Sequence, residues 1–223
     1  GPVSTRMLAM RRRQALGALA ALVGAGPTIA PAVAAPRFPE RPITLVVPFA
    51  AGGIADLTAR AVAEAMGRHL GQAVVVDNRP SAGSIVASQA VASARPDGHT
   101  LLLMSNSHAV SVGLFRKLPY DTLKDFAPLS TLGYFDLGFF VSPASPFAAL
   151  PTLVAHARAH PGRVTVATIA PGSTQHLAAR LFETVAGVDL LVVPYKSSPA
   201  VLTALRAGEV DLAPGNFPDL QRR

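Results

Sequence analysis

Short apolar runs alternate with helix-forming segments from Ile43 onward, and this alternation limits the possible folds more than any other feature of the sequence. The first three runs are continuously apolar over most of their length: ITLVVPF (43–49), AVVVDN (73–78) and HTLLLMSN (99–106). Strands of this kind are typical of parallel sheets that are covered by helices on both faces. With helices predicted over residues 53–70 and 84–94, they predict a βαβαβ unit of the α/β class.

The same alternation returns in the second half of the chain, after an irregular stretch from His108 to Leu132. The run YFDLGFFVSP (134–143) predicts a long strand that crosses between two lobes. Further strands are predicted at 164–169, 190–195 and 209–216, and helices near 150–160, 173–186 and 199–207. We therefore predict two similar α/β lobes, residues 35–133 and residues 134–223, the second of which ends abruptly.

Residues 1–34 have the composition of a signal peptide. A basic start that includes an arginine triplet precedes an apolar run from Ala15 to about Gly26, and the small-residue site Ala32-Val33-Ala34 follows. The apolar run is too short to span a membrane, and two prolines interrupt its continuation. We expect cleavage after Ala34. The triplet permits the twin-arginine route as well as the general secretory route.

The net charge of +7 suggests an anionic partner until the positions of the charges are considered. Four arginines lie in residues 1–34, which contain no acidic residue, and the remainder of the chain carries 16 basic and 13 acidic residues. A nucleic-acid-binding protein would concentrate its basic residues in a patch or stripe. Because no such stripe remains after residue 34, we predict that the chain does not bind nucleic acid.

The sequence contains no cysteine. This excludes a disulfide framework, a thiol nucleophile and thiolate metal sites, and it removes the lipid-attachment cysteine of many exported proteins. Together with the predicted signal peptide, it indicates a soluble protein exported to the periplasm and not anchored to the membrane after cleavage. We expect a monomer that carries no metal or other cofactor.

A pair of adjacent glycines, Gly52-Gly53, comes directly after the first predicted strand, where a helix begins. In α/β sheets, ligands bind beyond the carboxyl ends of the strands, at such helix starts. Glycine allows a ligand to approach the backbone, and the free N–H groups and the helix dipole favour an anion without any Lys or Arg. The second lobe repeats this arrangement after VTVATI, with Gly172, Ser173 and Thr174. Two such helix starts that face each other across a cleft would bind a small carboxylate.

Each of these features also has an ordinary structural explanation. The glycine pair can be a tight turn, and Asp56 can stabilise a helix start without contacting a ligand. Ser173 and Thr174 can cap their helix. Ser173 and His176 suggest a hydrolase, but no nucleophile elbow or third partner accompanies them. The P-loop and dinucleotide-binding motifs are absent from the sequence.

The sequence resembles a known family, the Bug-type receptors of tripartite tricarboxylate transporters. The similarity extends from about Phe38 to Asn216. The segments that carry it are FPERPITLVVPFAAGGIADLTAR, VVVDNRPSAGSIVASQAVASARPDGHTLLL, KLPYDTLKDFAPLS and ATIAPGSTQHLAARLFETVAGVDLLVVPYKSSPAVLTALRAGEVDLAPGN.

The resemblance implies a two-lobed periplasmic-binding fold, similar to type II, that closes on a small carboxylate and presents it to a membrane permease. It also implies that the ligand is held largely by backbone groups and ordered water in loops of both lobes. The implied ligand-binding residues are Phe49, Ala51, Gly52, Gly53, Asp56, Ser105, Asn106, Ser107, Gly172, Ser173, Thr174 and Asn216.

The sequence departs from the family pattern at several points. Ser81 and Ser84 stand where the family usually has glycine, and the segment YKSSPA (195–200) replaces a usual Lys-Gly. The acidic residue that often precedes the family's asparagine is missing before Asn216. The family's return from the second lobe to the first is not present, so we expect a fragment or the product of a truncated gene.

Several functions are compatible with this sequence. The first is a receptor that delivers a small carboxylate to the membrane subunits of a transporter. The second is a sensory module that passes its ligand signal to a membrane kinase, which would use the same closure. A hydrolase acting through Ser173 and His176 and a truncated relic that binds nothing are the other two. The sequence does not identify the carboxylate.

Overall fold

The computed structural model describes residues 37–147 and 149–216. The predicted signal peptide lies outside these residues. In the first lobe, three parallel strands form a sheet with the order β2-β1-β3. The elements of this lobe are β1 (Ile43–Val47), α1 (Ile54–Leu70), β2 (Val74–Asn78), α2 (Ile85–Ala92), β3 (Thr100–Leu102) and α3 (Asn106–Leu114). The predicted βαβαβ unit is therefore present.

Helix α3 lies where the sequence predicts the end of a strand followed by an irregular stretch. The third strand ends at Leu102, and the Ser105 side chain accepts a hydrogen bond from the Ser107 N–H at the start of the helix. The helix contains Val110, Val112 and Gly113, which lower helix propensity. Its apolar residues are also barely concentrated on one face of the helix, so the hydrophobic periodicity of the sequence does not indicate a helix here.

The predicted strand 134–143 is much shorter in the structure. Only β4 (Gly138–Phe140) is a strand, and residues 115–137 form no helix or strand. Strand β4 pairs antiparallel with β7 (Ala213–Gly215), which is itself three residues long and contains Pro214, a residue without an N–H group. The apolar run before Gly138 has no partner strand among the described residues, so pairing and not composition sets the strand length.

The remaining elements of the second lobe alternate as the sequence predicts. They are α4 (Leu150–Ala159), β5 (Thr165–Thr168), α5 (Thr174–Ala186), β6 (Leu191–Pro194) and α6 (Ser198–Ala207). Strands β5 and β6 are parallel, and a bridge from Val166 to Leu212 connects β5 to the residue before β7. The carboxylate of Asp211 accepts hydrogen bonds of 2.8 Å from the N–H and the hydroxyl of Thr165, which fixes this register.

Three apolar clusters make up the core. One lies in the first lobe around Leu45 and Val47, and two lie in the second lobe, around Val166 and around Leu205. Complete burial of one such side chain contributes about 1.5–3 kcal/mol. Phe49 packs against both the first-lobe cluster and the cluster around Leu205, so the two lobes share a side chain.

Candidate functional site

The loop after β1 is held in shape by the buried carboxylate of Asp56. Gly52 has a φ of +86°, a conformation that L side chains rarely adopt. Its N–H donates a 2.9 Å hydrogen bond to Asp56 Oδ2. Gly53 is buried and forms the N-cap of α1, and Ala51 is exposed in the turn. The loop therefore receives its conformation from the first turn of the helix that follows it.

Asp56 is itself held by two residues that the sequence analysis did not identify. Arg60 Nε donates to its Oδ2 at 3.0 Å, and Asn78 Nδ2 donates to its Oδ1 at 3.0 Å. Burial alone would raise the pKa of the Asp56 carboxyl, but the hydrogen bonds from Arg60, Gly52 and Asn78 outweigh it and lower the pKa. Both oxygens of this carboxylate thus accept hydrogen bonds from protein groups.

The sequence contains usable indications of both residues. Arg60 lies four positions after Asp56 on one helix, the spacing of an ion pair. Asn78 ends β2, beside the end of β1, at the edge of the sheet where ligands bind. Asn78 Nδ2 also donates a 2.9 Å bond to the carbonyl of Phe49. The residues around the glycine pair are therefore tied to two strands and one helix.

The first turn of α6 lies directly against this glycine loop. A Cβ atom added to Gly52 would stand 2.9 Å from Pro199 Cγ, and one added to Gly53 would stand 3.2 Å from Ser198 Oγ. No real Cβ makes contacts as close as the first of these without displacement of a neighbour. The glycine pair therefore also permits the close approach of the two lobes, a role that the sequence analysis did not assign to it.

The second-lobe loop forms the start of α5. Gly172 has a φ of +83°, and Ser173 is the N-cap, whose Oγ accepts the His176 N–H at 3.2 Å. The His176 ring accepts a 3.4 Å hydrogen bond from the Gly172 N–H through Nδ1. Burial, and then the positive charge of Arg180, lower the pKa of His176. Ser173 Oγ thus serves as a helix cap and is bonded to the His176 backbone, not to the imidazole.

This second-lobe loop contacts the first lobe at three points. The Gly83 N–H donates a 3.1 Å hydrogen bond to the Pro171 carbonyl. The Thr174 hydroxyl donates a 2.5 Å hydrogen bond to Asn106 Oδ1. A Cβ on Gly172 would also stand 2.9 Å from Leu114 Cδ1, at the end of α3. The start of α5 therefore meets the start of α3.

The two glycine loops thus have different partners. The direct contacts pair the start of α1 with that of α6 and the start of α5 with that of α3, and the arrangement of α1 and α5 on two sides of a cleft stays a prediction. Sequence patterns showed that helices begin at these loops, but they did not show which helix starts meet across the lobes.

Three serine hydroxyls are grouped beside the start of α3. Ser105 Oγ and Ser107 Oγ are 2.8 Å apart, and Ser107 Oγ is also hydrogen-bonded to Ser84 Oγ. Ser84 and Ser107 are buried, and Ser105 is partly exposed. Ser105 and Ser107 are among the predicted site residues, and Ser84 is one of the positions where the sequence departs from the family pattern.

Asn216, the last predicted site residue, follows β7. Its Nδ2 donates a 3.2 Å hydrogen bond to the Asp136 carbonyl, so the Asn216 side chain is bonded to the backbone just before β4. Within residues 37–147 and 149–216, there is no group of three or more His, Cys, Asp or Glu residues that could hold a metal ion. Among the described residues, no helix has the length and apolar character needed to span a membrane.

Comparison with known proteins agrees with this architecture. Residues 58–223 match a family described as "Tripartite tricarboxylate transporter family receptor". The protein BugT of Bordetella pertussis is 38% identical over 216 residues, which are 96% of this chain and 64% of BugT.

Two solved structures are similar in fold and in sequence. Rpa4515 of R. palustris, solved with adipate, is 35% identical with a TM-score of 0.77, and the match covers 82% of this chain and 61% of that one. MatC of Rhodopseudomonas palustris, solved with malate, is 34% identical with a TM-score of 0.73, and the match covers 80% of this chain and 61% of MatC. The chain thus spans less than two thirds of these relatives. It has the α/β periplasmic-binding fold and belongs to the receptor family of the tripartite tricarboxylate transporters.

Proposed function

We propose that this chain is a periplasmic receptor that captures a small carboxylate between its lobes and delivers it to the membrane subunits of a tripartite tricarboxylate-type transporter. The observation that carries the proposal is the meeting of helix starts across the lobes. Gly53 at the start of α1 lies against Ser198 at the start of α6, and Thr174 at the start of α5 is bonded to Asn106 at the start of α3.

The electrostatics of these helix starts favour an anion. Each helix N-terminus carries roughly half a positive charge. Two such ends that approach each other repel, and an anion bound close to them removes this repulsion and uses their free N–H groups. The adipate and malate in the two solved relatives belong to this chemical class. The ligand-binding residues we propose are those that the sequence predicts, with Asp56 holding the Gly52 loop in place.

The structure gives little support to a hydrolase. Ser173 Oγ accepts a hydrogen bond from the His176 N–H, and the His176 ring accepts one from the Gly172 N–H. A nucleophile would need its hydroxyl hydrogen-bonded to the imidazole. We propose binding without turnover, by a monomer that associates only transiently with its membrane partners.

Thermal unfolding in the presence of small acids tests the proposal. Adipate, malate, citrate and several monocarboxylates are compared with adipamide, which has the shape of adipate without its charges. A bound acid at a hundredfold excess over Kd adds about 2.7 kcal/mol to the free energy of unfolding and raises Tm. If no acid raises Tm, or if adipamide raises it as much as adipate does, the carboxylate-receptor proposal is wrong.

We further propose export through the segment 1–34, with cleavage after Ala34. N-terminal sequencing of the protein from the periplasmic fraction is expected to begin at Ala35. Replacement of Arg12 and Arg13 by lysine stops export by the twin-arginine route and leaves general secretion intact, so it distinguishes the two routes. Recovery of the uncleaved chain from the cytoplasm would contradict the proposal.

A further inference from the structure

Ser84 has an unusual backbone conformation for a buried serine. Its φ is +61°, and it is the only non-glycine residue with a positive φ in the part of the chain that the structure describes. Its side chain is nevertheless buried, with 2% of the residue exposed. Non-glycine residues in such a conformation tend to occur at functional sites, where the surrounding structure enforces them. The conformation places Ser84 Oγ in hydrogen-bond contact with Ser107 Oγ.

The three serine hydroxyls form a chain whose protons can be counted. Ser84 contacts Ser107, and Ser107 contacts Ser105, so two contacts use two of the three hydroxyl protons. Ser105 Oγ also accepts the Ser107 N–H at 3.3 Å. One hydroxyl proton therefore remains without an acceptor in this group.

Burial decides which serine keeps the remaining proton. Ser84 is 2% exposed and Ser107 is 1% exposed, and neither hydroxyl meets a further acceptor within the described residues. A buried donor without an acceptor is costly. The favourable order is therefore donation from Ser84 to Ser107 and from Ser107 to Ser105. The free proton then lies on Ser105, which is partly exposed.

Both ends of this hydroxyl chain lie next to contacts between the lobes. Gly83, which precedes Ser84, donates its N–H to the Pro171 carbonyl. Asn106, which follows Ser105, accepts the Thr174 hydroxyl. A proton donor at Ser105 thus lies next to Asn106, which contacts the second-lobe loop through Thr174. This is the region where the proposed ligand is captured.

The receptor function proposed above already includes Ser105 among the ligand-binding residues, and resting on that function we propose that Ser84 is the positioning residue that keeps the Ser105 hydroxyl proton available to the bound carboxylate. Consecutive donation along the three hydroxyls polarises the last one and strengthens it as a donor. Ser84 does not touch the ligand; it acts through Ser107. This explains why a serine occupies a position whose backbone favours glycine.

Two substitutions at one position separate affinity from stability. Ser84→Gly removes the hydroxyl and also relieves the backbone strain, so Tm is expected to stay equal or rise. Ser84→Ala removes the hydroxyl and keeps the strain, so Tm is expected to fall. Both variants are expected to bind adipate or malate about 3- to 10-fold more weakly in isothermal titration calorimetry, whereas a purely structural role would change Tm and leave Kd alone.

A double-mutant cycle tests whether Ser84 acts through Ser105. Ser105→Ala removes a hydrogen bond to a charged group, and about 10-fold or greater loss of affinity is expected. Adding Ser84→Gly to Ser105→Ala is then expected to change Kd no further, because the donor that Ser84 positions is gone. Ser93→Gly, an exposed serine at the other end of α2, is the matched control and is expected to bind like the wild type.

The outcomes distinguish this inference from the proposed function. If the wild type binds adipate or malate and Ser84→Gly binds with the same Kd, the hydroxyl chain has no role in binding and the inference is wrong. Additive losses in the cycle would likewise overturn the action through Ser105. If no acid of the panel binds the wild-type chain while it unfolds cooperatively, the proposed function fails, and the inference fails with it.

Discussion

The hydroxyl of Thr174 donates a 2.5 Å hydrogen bond to Oδ1 of Asn106, and this single bond joins the first turn of α5 to the first turn of α3 across the two lobes. We expect Thr174→Val to destabilise the chain by about 0.5–1.5 kcal/mol in urea denaturation and to weaken carboxylate binding. The matched control is Thr184→Val, since that hydroxyl bonds the Arg180 carbonyl within the same helix. Equal binding by both variants would show that the Thr174 bond does not contribute to ligand capture.

The carboxylate of Asp56 should control the shape of the Gly52 loop. Asp56→Asn removes the negative charge and turns one of the two oxygens, which accept from Arg60 and from Asn78, into an amide donor, and we expect a loss of about 1–3 kcal/mol. Glu64→Gln on the same helix removes an exposed ion pair with Arg68 and is expected to change stability by less than about 0.5 kcal/mol. A loss no larger for Asp56→Asn than for Glu64→Gln would contradict this role.

The stability of the fold should also depend on pH through Asp56. Because its pKa is lower in the folded chain than in the unfolded one, its stabilising contribution is complete above the ordinary carboxyl pKa of about 4. The contribution is lost as the pH falls through the folded value. We expect the unfolding free energy of the wild type to decline more steeply below about pH 4 than that of Asp56→Asn. Parallel curves for the two chains would rule this out.

The close approach of Pro199 to Gly52 predicts a large effect of a single methyl group. Gly52→Ala introduces both an unfavourable φ and a Cβ that would lie 2.9 Å from Pro199 Cγ. Gly71→Ala has a similar φ of +68° with no atom within 4 Å, so it measures the backbone cost alone, about 1–2 kcal/mol. We expect Gly52→Ala to cost more than Gly71→Ala in thermal unfolding, and Pro199→Ala to restore part of the difference. Equal losses of stability in the two variants would show that the loop moves enough to accommodate the added methyl group.

The side chain of Phe49 couples the cores of the two lobes. Phe49→Ala is expected to cost about 3–5 kcal/mol, because a large side chain is removed from two apolar clusters at once. We also expect the unfolding transition in urea to broaden, since the lobes then share less of their core. Phe139→Ala, which removes a more exposed phenylalanine, is the comparison. A sharp transition with an unchanged slope in Phe49→Ala would show that other contacts maintain the coupling.

Local patterns in the sequence determined most of the element order. Continuous apolar runs marked β1 and β5, which are largely buried as parallel strands usually are, and they also marked β2, although Val75 of this edge strand is exposed. Gly52-Gly53 and Gly172-Ser173 marked helix starts, because positive φ and capping are properties of single residues and their immediate neighbours. Where the hydrophobic periodicity of a helix was weak, as in α3, the sequence did not predict the helix.

Contacts between distant residues were decided only by the tertiary structure. The length of β4 depends on the short strand β7, more than 70 positions later. The meeting of Gly52 with Pro199 and of Asn106 with Thr174 depends on how the two lobes close, and the hydrogen bond between Ser84 and Ser107 depends on how the starts of α2 and α3 pack within the first lobe. The sequence determined that α1, α5 and α6 begin near the site, because helix starts are local, but it did not reveal the start of α3. Packing decided which of them meet, because that choice depends on shape and on the shared burial of Phe49.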